Sequence, residues 1–260
     1  MRRRALGCSV ALVSLLVSGC AKSPVSVDVE PPRVARPEAR GHITARAGRA
    51  GAVVAAPHGS SDLRTDEMAT EIARRTGFGL VVATGFSLPP DAPGLPGRRL
   101  QVNRPYDGIA AHGQSEERAT AEARAVYDEY ERHVREASRG PLRLYVEIHG
   151  NNRHETATRI EIATTGVDRG YAMQLKTLLE LTRDAHLRTN REAPRLDVWI
   201  EPVDRLVFGA TGAKRDGILR VPERALHIEL PKIAREEFGS LYAAILAEFL
   251  TEALVLRRLP

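Results

Sequence analysis

Short apolar runs alternate with longer amphipathic stretches along most of this chain. Ala52–Ala56 is an unbroken apolar run that stops at Pro57-His58-Gly59, the pattern of a buried strand running into a loop. Thr65–Arg75 carries Met68, Ala69 and Ile72 along one side, as an amphipathic helix does. Gly79–Ala83 reads as a second buried strand, and Ser115–Ser138 as a long polar helix with Ala119, Ala123, Val126 and Tyr127 as its inner stripe. Leu142–Ile148 alternates like a half-buried strand, and Arg159–Ala163 reads as another. Gly170–Leu187 is a helix built on Leu175, Leu178, Leu179 and Leu181. Arg195–Ile200 and Ala225–Leu230 alternate again, and a helix from about Glu236 to Leu256 closes the chain. Strands interleaved with helices predict a single α/β domain, with a mixed or mainly parallel sheet flanked by helices. There is no internal repeat.

The first residues follow a different pattern. Arg2, Arg3 and Arg4 precede an apolar run from Ala5 to Val17, and Ser18-Gly19 supply small residues before Cys20. A basic segment, an apolar segment and a small-residue site are the marks of a secretory signal peptide. The run is too short for a comfortable membrane span, which needs about 20 apolar residues. Leu16-Val17-Ser18-Gly19-Cys20 resembles the lipobox of bacterial lipoproteins. That resemblance implies cleavage after residue 19, lipidation of Cys20, and a multi-chain anchor of the kind that holds a protein stably on a bilayer. The expected location is the cell envelope outside the cytoplasm. With Ala21 and not aspartate after the cysteine, that means the outer membrane if the host has one. Residues 20–48, with Pro31-Pro32 and Pro37 and no sustained period, read as a tether. Residues 49–260 are then the globular domain.

Composition narrows the chemistry. The cysteines are Cys8 and Cys20 only, so leader and anchor account for both. The domain has no thiol nucleophile, disulfide or cysteine-ligated metal. The net charge of +5 owes three positive charges to Arg2, Arg3 and Arg4. No basic stripe with interleaved aromatics is present, so nucleic acid is not an expected partner.

Residues of catalytic type gather at strand ends, where ligand sites of open α/β sheets form. His58 and Asp62 follow the first strand on one tight loop and can reach a common metal. His149 ends the strand from Leu142, with Glu147 on the same face. Two imidazoles and a carboxylate plus a water make a catalytic zinc site. Read singly, His58 is equally a solvated loop residue, and His149 a strand-end imidazole bonded to backbone. Glu229 sits on a late strand between apolar Ile228 and Leu230. Its carboxylate either shuttles a proton beside a metal or forms a structural pair, with Arg235 as the candidate partner. His227 shares its face as an outer partner. Asn103-Arg104 lies in the turn bracketed by Pro105 and Gly108, suited to grip a carboxylate or to pair with a surface acid.

The order His58, Asp62, Asn103-Arg104, His149, Glu229 resembles the zinc carboxypeptidase superfamily. Val102–Gly108 is similar to the Asn-Arg turn of its deacylase branch, which holds succinylglutamate desuccinylase and aspartoacylase relatives. His58-Gly59 through Asp62, Thr65 and Glu67 resembles the opening of phage poly-γ-glutamate hydrolases, and N-formylglutamate amidohydrolases share a comparable plan. The resemblance covers about Ala52 to Arg235. It implies one zinc ion on His58, Asp62 and His149, with Glu229 as general base and acid. It implies that Asn103 and Arg104 grip the substrate carboxylate, with Arg104 also stabilising the oxyanion. Where many members have His-x-x-Glu, this chain has His-x-x-x-Asp, which leaves Glu67 or Asp66 as substitutes for Asp62 and His154 as an alternative ligand. The superfamily's substrate-side tyrosine has no clear counterpart. The expected activity is hydrolysis of a peptide, γ-glutamyl or N-acyl-amino-acid amide, and the expected partner is a small peptide or acyl-amino acid. The competing class is a non-catalytic ligand-binding envelope lipoprotein on the same fold. A serine hydrolase is disfavoured because no Gly-x-Ser-x-Gly elbow is present.

Overall fold

The computed structural model describes residues 41–88, 97–111 and 114–256, without the side chains of 109–111, 114 and 115. The signal peptide, Cys20 and residues 20–40 of the expected tether lie outside the described residues.

The elements run β1 (His42–Arg46), β2 (Arg49–Ala56), α1 (Thr65–Thr76), β3 (Phe78–Thr84), β4 (Ser87–Leu88), β5 (Arg98–Leu100), β6 (Tyr106–Ala111), β7 (Gln114–Ala119), α2 (Ala121–Ser138), β8 (Leu144–Asn151), β9 (Arg159–Thr165), α3 (Arg169–Leu187), β10 (Asp197–Ile200), α4 (Thr211–Asp216), β11 (Arg224–Pro231), α5 (Lys232–Glu236) and α6 (Gly239–Val255). Three boundaries differ from the sequence expectation. Residues 42–46, read as tether, form an edge strand whose only buried side chain is Ile43, too sparse a pattern to stand out. The expected helix from Ser115 begins at Ala121, because residues 114–119 pair as β7 and Thr120 caps α2 by accepting from Ala123 N at 3.1 Å. The closing helix runs from Gly239 to Val255, a few residues later than expected, and a separate short helix, Lys232–Glu236, precedes it.

The main sheet has seven strands in the order β1-β3-β2-β8-β11-β9-β10. The β1–β3 and β11–β9 pairs are antiparallel and the rest parallel, so the sheet is mixed and mostly parallel. On one face Val146, Ile148, Leu226, Ile228 and Leu230 pack under α1, α3 and α6. Nearly every side of α6 is apolar because it is wedged between α1 and α3, with Tyr242, Ile245, Leu246, Phe249 and Leu250 all buried. Among the described residues no helix is long and apolar enough to cross a membrane.

The other face is divided. At its lower end Tyr145 and Ala225 join the core under α2. One pleat further along each strand the same face carries Glu147 and His149 on β8, and His227 and Glu229 on β11. The parallel register sets Glu147 beside His227 and His149 beside Glu229, which brings same-face side chains into contact range. A second, four-stranded antiparallel sheet, β4-β5-β6-β7, supplies the residues that face this polar end.

Close approach of α2 to the sheet depends on Gly79 in β3, where an added Cβ would lie 2.5 Å from the Ala137 carbonyl oxygen. Neither backbone can yield without shifting the layer. Gly79→Ala is expected to destabilise the domain by about 1–3 kcal/mol, measured by urea denaturation. An unchanged midpoint would mean that α2 is not seated this tightly.

Candidate metal centre

The loop after β2 folds back on itself at once. The amides of Ser61 and Asp62 both donate to the His58 carbonyl, at 2.9 and 2.8 Å, and Asp62 in turn starts α1 by accepting from Thr65 N at 3.1 Å. This turn places Asp62 against His58, with Asp62 Oδ2 3.3 Å from His58 Nδ1. The same oxygen lies 3.1 Å from His149 Nδ1. His58, Asp62 and His149 thus offer three ligand atoms mutually within 4.8 Å. The two imidazoles meet edge to face, with centroids 4.9 Å apart.

The far nitrogen of each ring is also engaged. His58 Nε2 is 3.0 Å from the Gln101 carbonyl oxygen, and His149 Nε2 is 3.2 Å from Glu147 Oε2. With these acceptors taking a proton from Nε2, Nδ1 of each ring is the nitrogen left to a cation beside Asp62, as a ligating histidine requires. Gln101 presents its carbonyl across a strained bend, since Val102 has φ 58° although it is β-branched. Such a conformation costs about 1–3 kcal/mol and persists only when its neighbours hold it.

Glu147 is fully buried and is the missed residue of the site. Its Oε2 is within reach of Asn103 Nδ2 at 3.2 Å, His149 Nε2 at 3.2 Å and His227 Nδ1 at 2.9 Å, while Oε1 accepts from the Tyr145 hydroxyl at 3.1 Å. His227 continues the chain, with Nε2 3.3 Å from Glu229 Oε1, and stacks on His149 at 4.1 Å. The other Glu229 oxygen accepts from Asn151 Nδ2 at 3.3 Å. A second group of potential ligand atoms, Glu147, His149 and His227, meets the same distance limit. It competes with the first for His149. The first group opens on a cleft of about 400 Å³ that His58, Asp62, His149, His227 and Glu229 line, whereas Glu147 does not reach it.

The remaining expectations divide. Asp62, not Asp66 or Glu67, stands by the histidines; Glu67 is exposed and 3.7 Å from Arg64. His154 is exposed on a short 3-10 turn and belongs to neither group. Arg235 does not pair with Glu229; it donates to the backbone carbonyls of Leu230, Leu63 and Asn151. Asn103 is placed behind the cleft. It has no solvent exposure, and its amide is committed at both ends, donating to Glu147 and accepting from Arg104 Nη1 at 2.9 Å. It therefore supports Arg104 and does not face the cleft. Arg104 lines the cleft but is forked onto Glu117, with Nε 2.9 Å from Oε2. Arg99, unremarked in the sequence because it sits in a short polar strand, lines the cleft 3.8 Å from Asp62 Oδ1. Arg153 adds a third guanidinium at the rim.

No family model matches this chain, and no curated protein does. Solved structures of similar fold include a bacteriophage poly-γ-glutamate hydrolase, with 13% identity, 83% of this chain and 88% of that chain covered, and a TM-score of 0.43. A gene product of Agrobacterium tumefaciens has 16% identity, coverage of 83% and 95%, and a TM-score of 0.44. A metallo-carboxypeptidase from Burkholderia cenocepacia has 12% identity, coverage of 81% and 58%, and a TM-score of 0.37.

Protonation follows from these contacts. Burial alone would lower the pKa of His149, but a carboxylate at each ring nitrogen outweighs it and raises the value to about 10. Burial holds His58 down to about 4, with Asp62 opposing. Burial pushes Asp62 and Glu147 up, but hydrogen bonds from the histidines hold both well below the usual carboxylate range. In metal-free protein the His149 contribution to stability is complete below about pH 6.5 and lost as pH rises towards about 10. The His58 contribution runs the other way, lost as pH falls from about 6.5 through about 4, and the two carboxylates follow below that. Urea midpoints of the metal-free protein should peak near pH 6.5, and His149→Gln should remove the alkaline decline. A level midpoint from there to pH 10 in the unsubstituted protein contradicts the arrangement.

Proposed function

We propose that this protein is a zinc-dependent hydrolase of an amide bond in a carboxylate-bearing substrate, acting at the cell envelope. The observation that carries the reading is the convergence of His58 Nδ1 and His149 Nδ1 on Asp62 Oδ2 at 3.3 and 3.1 Å, at the edge of a cleft that Glu229 also lines. The donor set fits zinc: two imidazoles and one carboxylate are a common catalytic combination, His149 would give up its Nδ1 proton on binding, and the cleft lies beside all three. When bound, zinc supplies Lewis acidity towards a carbonyl and makes water a nucleophile near neutral pH.

Glu229 does the proton work. Burial favours its neutral form, but the hydrogen bond from His227 and the charges of His227 and His149 prevail and keep it ionised. An ionised carboxylate at the cleft can take a proton from water and return it to the leaving amine. Arg99, Arg104 and Arg153 line the cleft with positive charge. A guanidinium can accept a substrate carboxylate through two hydrogen bonds. Of the two inner groups, Arg99 donates at 3.3 Å to the neutral Ser61 and Gln101 side chains, whereas Arg104 is held by the closer ion pair with Glu117. Peptides of the cell wall, γ-glutamyl polymers and acyl-amino acids all present an amide near a carboxylate. The envelope location rests on the leader and Cys20, with the lipidated cysteine as the bilayer anchor.

Purified protein is expected to hold one zinc per chain by elemental analysis and to lose it on His58→Ala or His149→Ala. Glu229→Gln is expected to keep the zinc and lose about 10²–10⁴-fold in kcat on an N-acyl-glutamate or γ-glutamyl peptide. Zinc retained by His58→Ala but lost on His227→Ala moves the ion to the buried group. Metal-free protein that still binds such a ligand is a binder and not a hydrolase.

A further inference from the structure

Glu147 does not line the cleft, yet it bonds directly to His149 and His227, which do, and it is the most heavily hydrogen-bonded carboxylate of the site. We propose that Glu147 is the positioning residue on which both halves of the centre depend: it orients His149 for the metal and, through His227, holds Glu229 at the cleft. This rests on the metal-hydrolase reading above and names the residue that organises it.

The His149 ring can turn about its side-chain bonds and carry its proton on either nitrogen. A buried carboxylate 3.2 Å from Nε2 removes both freedoms and leaves Nδ1 for a cation. His227 lies between two carboxylates, 2.9 Å from Glu147 and 3.3 Å from Glu229, so its ring plane is set by both. The His227 ring lies stacked beside His149 at 30° between planes. The same Glu147 oxygen receives the Asn103 amide, whose carbonyl oxygen accepts from Arg104. One fully buried carboxylate therefore joins the metal ligand, the base and a cleft cation. Packing does not explain its presence. On one side it adjoins Tyr145 and Ala225 of the apolar core, and an apolar residue at 147 would extend that core without the cost of desolvating a charge.

Glu147→Gln keeps the shape and removes the charge. In the full chain it is expected to weaken zinc binding about 10–100-fold by chelator competition and to lower kcat. His227→Gln is expected to lower kcat while zinc affinity stays at the wild-type value. The double variant should have no lower kcat than Glu147→Gln alone, because both act along one path. Tyr145→Phe, which removes one donor from Oε1, should weaken zinc roughly 2- to 12-fold. A folded E147Q protein with wild-type zinc affinity overturns the proposal, as do kcat losses that multiply in the double variant. If E147Q does not fold, Tyr145→Phe decides, and unchanged zinc affinity in that variant is the overturning result. Absence of stoichiometric zinc from the unsubstituted protein is a different failure, since it defeats the hydrolase reading itself.

Discussion

The centre of this molecule is a row of largely buried ionisable groups that water reaches only from the cleft. Asp62, His149, Glu147, His227 and Glu229 alternate carboxylate and imidazole, with successive contacts of 3.1, 3.2, 2.9 and 3.3 Å. An unpaired charge in such a setting costs several kcal/mol. Each member is tolerated because a neighbour of opposite character meets it, so removing one exposes the next. The parallel register of β8 and β11 makes the row possible, since it sets two polar positions on each strand side by side.

That row explains why the two possible ligand groups are not equivalent. Both use His149, one through Nδ1 and the other through Nε2. A cation among Glu147, His149 and His227 would have to displace hydrogen bonds that already satisfy a fully buried carboxylate. At His58, Asp62 and His149 the cleft is adjacent, and exchange of a proton for a cation leaves the outer contacts of both rings intact.

The small antiparallel sheet has a role larger than its size. Its bend at Val102 delivers the Gln101 carbonyl to His58 and the Asn103 amide to Glu147, while β5 and the loop after it bring Arg99 and Arg104 to the cleft. A strained backbone flanked by buried Gln101 and Asn103 suggests that aim, and not local preference, sets this loop. Asp107 anchors it, buried and 2.8 Å from Arg98.

Order along the chain determined much by itself. Apolar runs and helical stripes defined the α/β plan, because burial selects side chains with the period of each element. The Gly-flanked histidines marked their strand ends, and Asp62 came with His58 because a four-residue turn is a local event. The alternation around Glu229 likewise marked a carboxylate among apolar neighbours. What remained for tertiary structure was everything that depends on pairing between distant strands. Glu147 looked like one more alternating position until β11 was laid beside β8. That the Asn103 amide lies between Glu147 and Arg104 likewise came only with the fold. The strands from Arg98 to Ala119 are short and polar, with no period to read, and Arg99 acquired its place only through them. Local periodicity reports which residues are buried; which charges meet there is decided by register, and register is a property of two strands, not one.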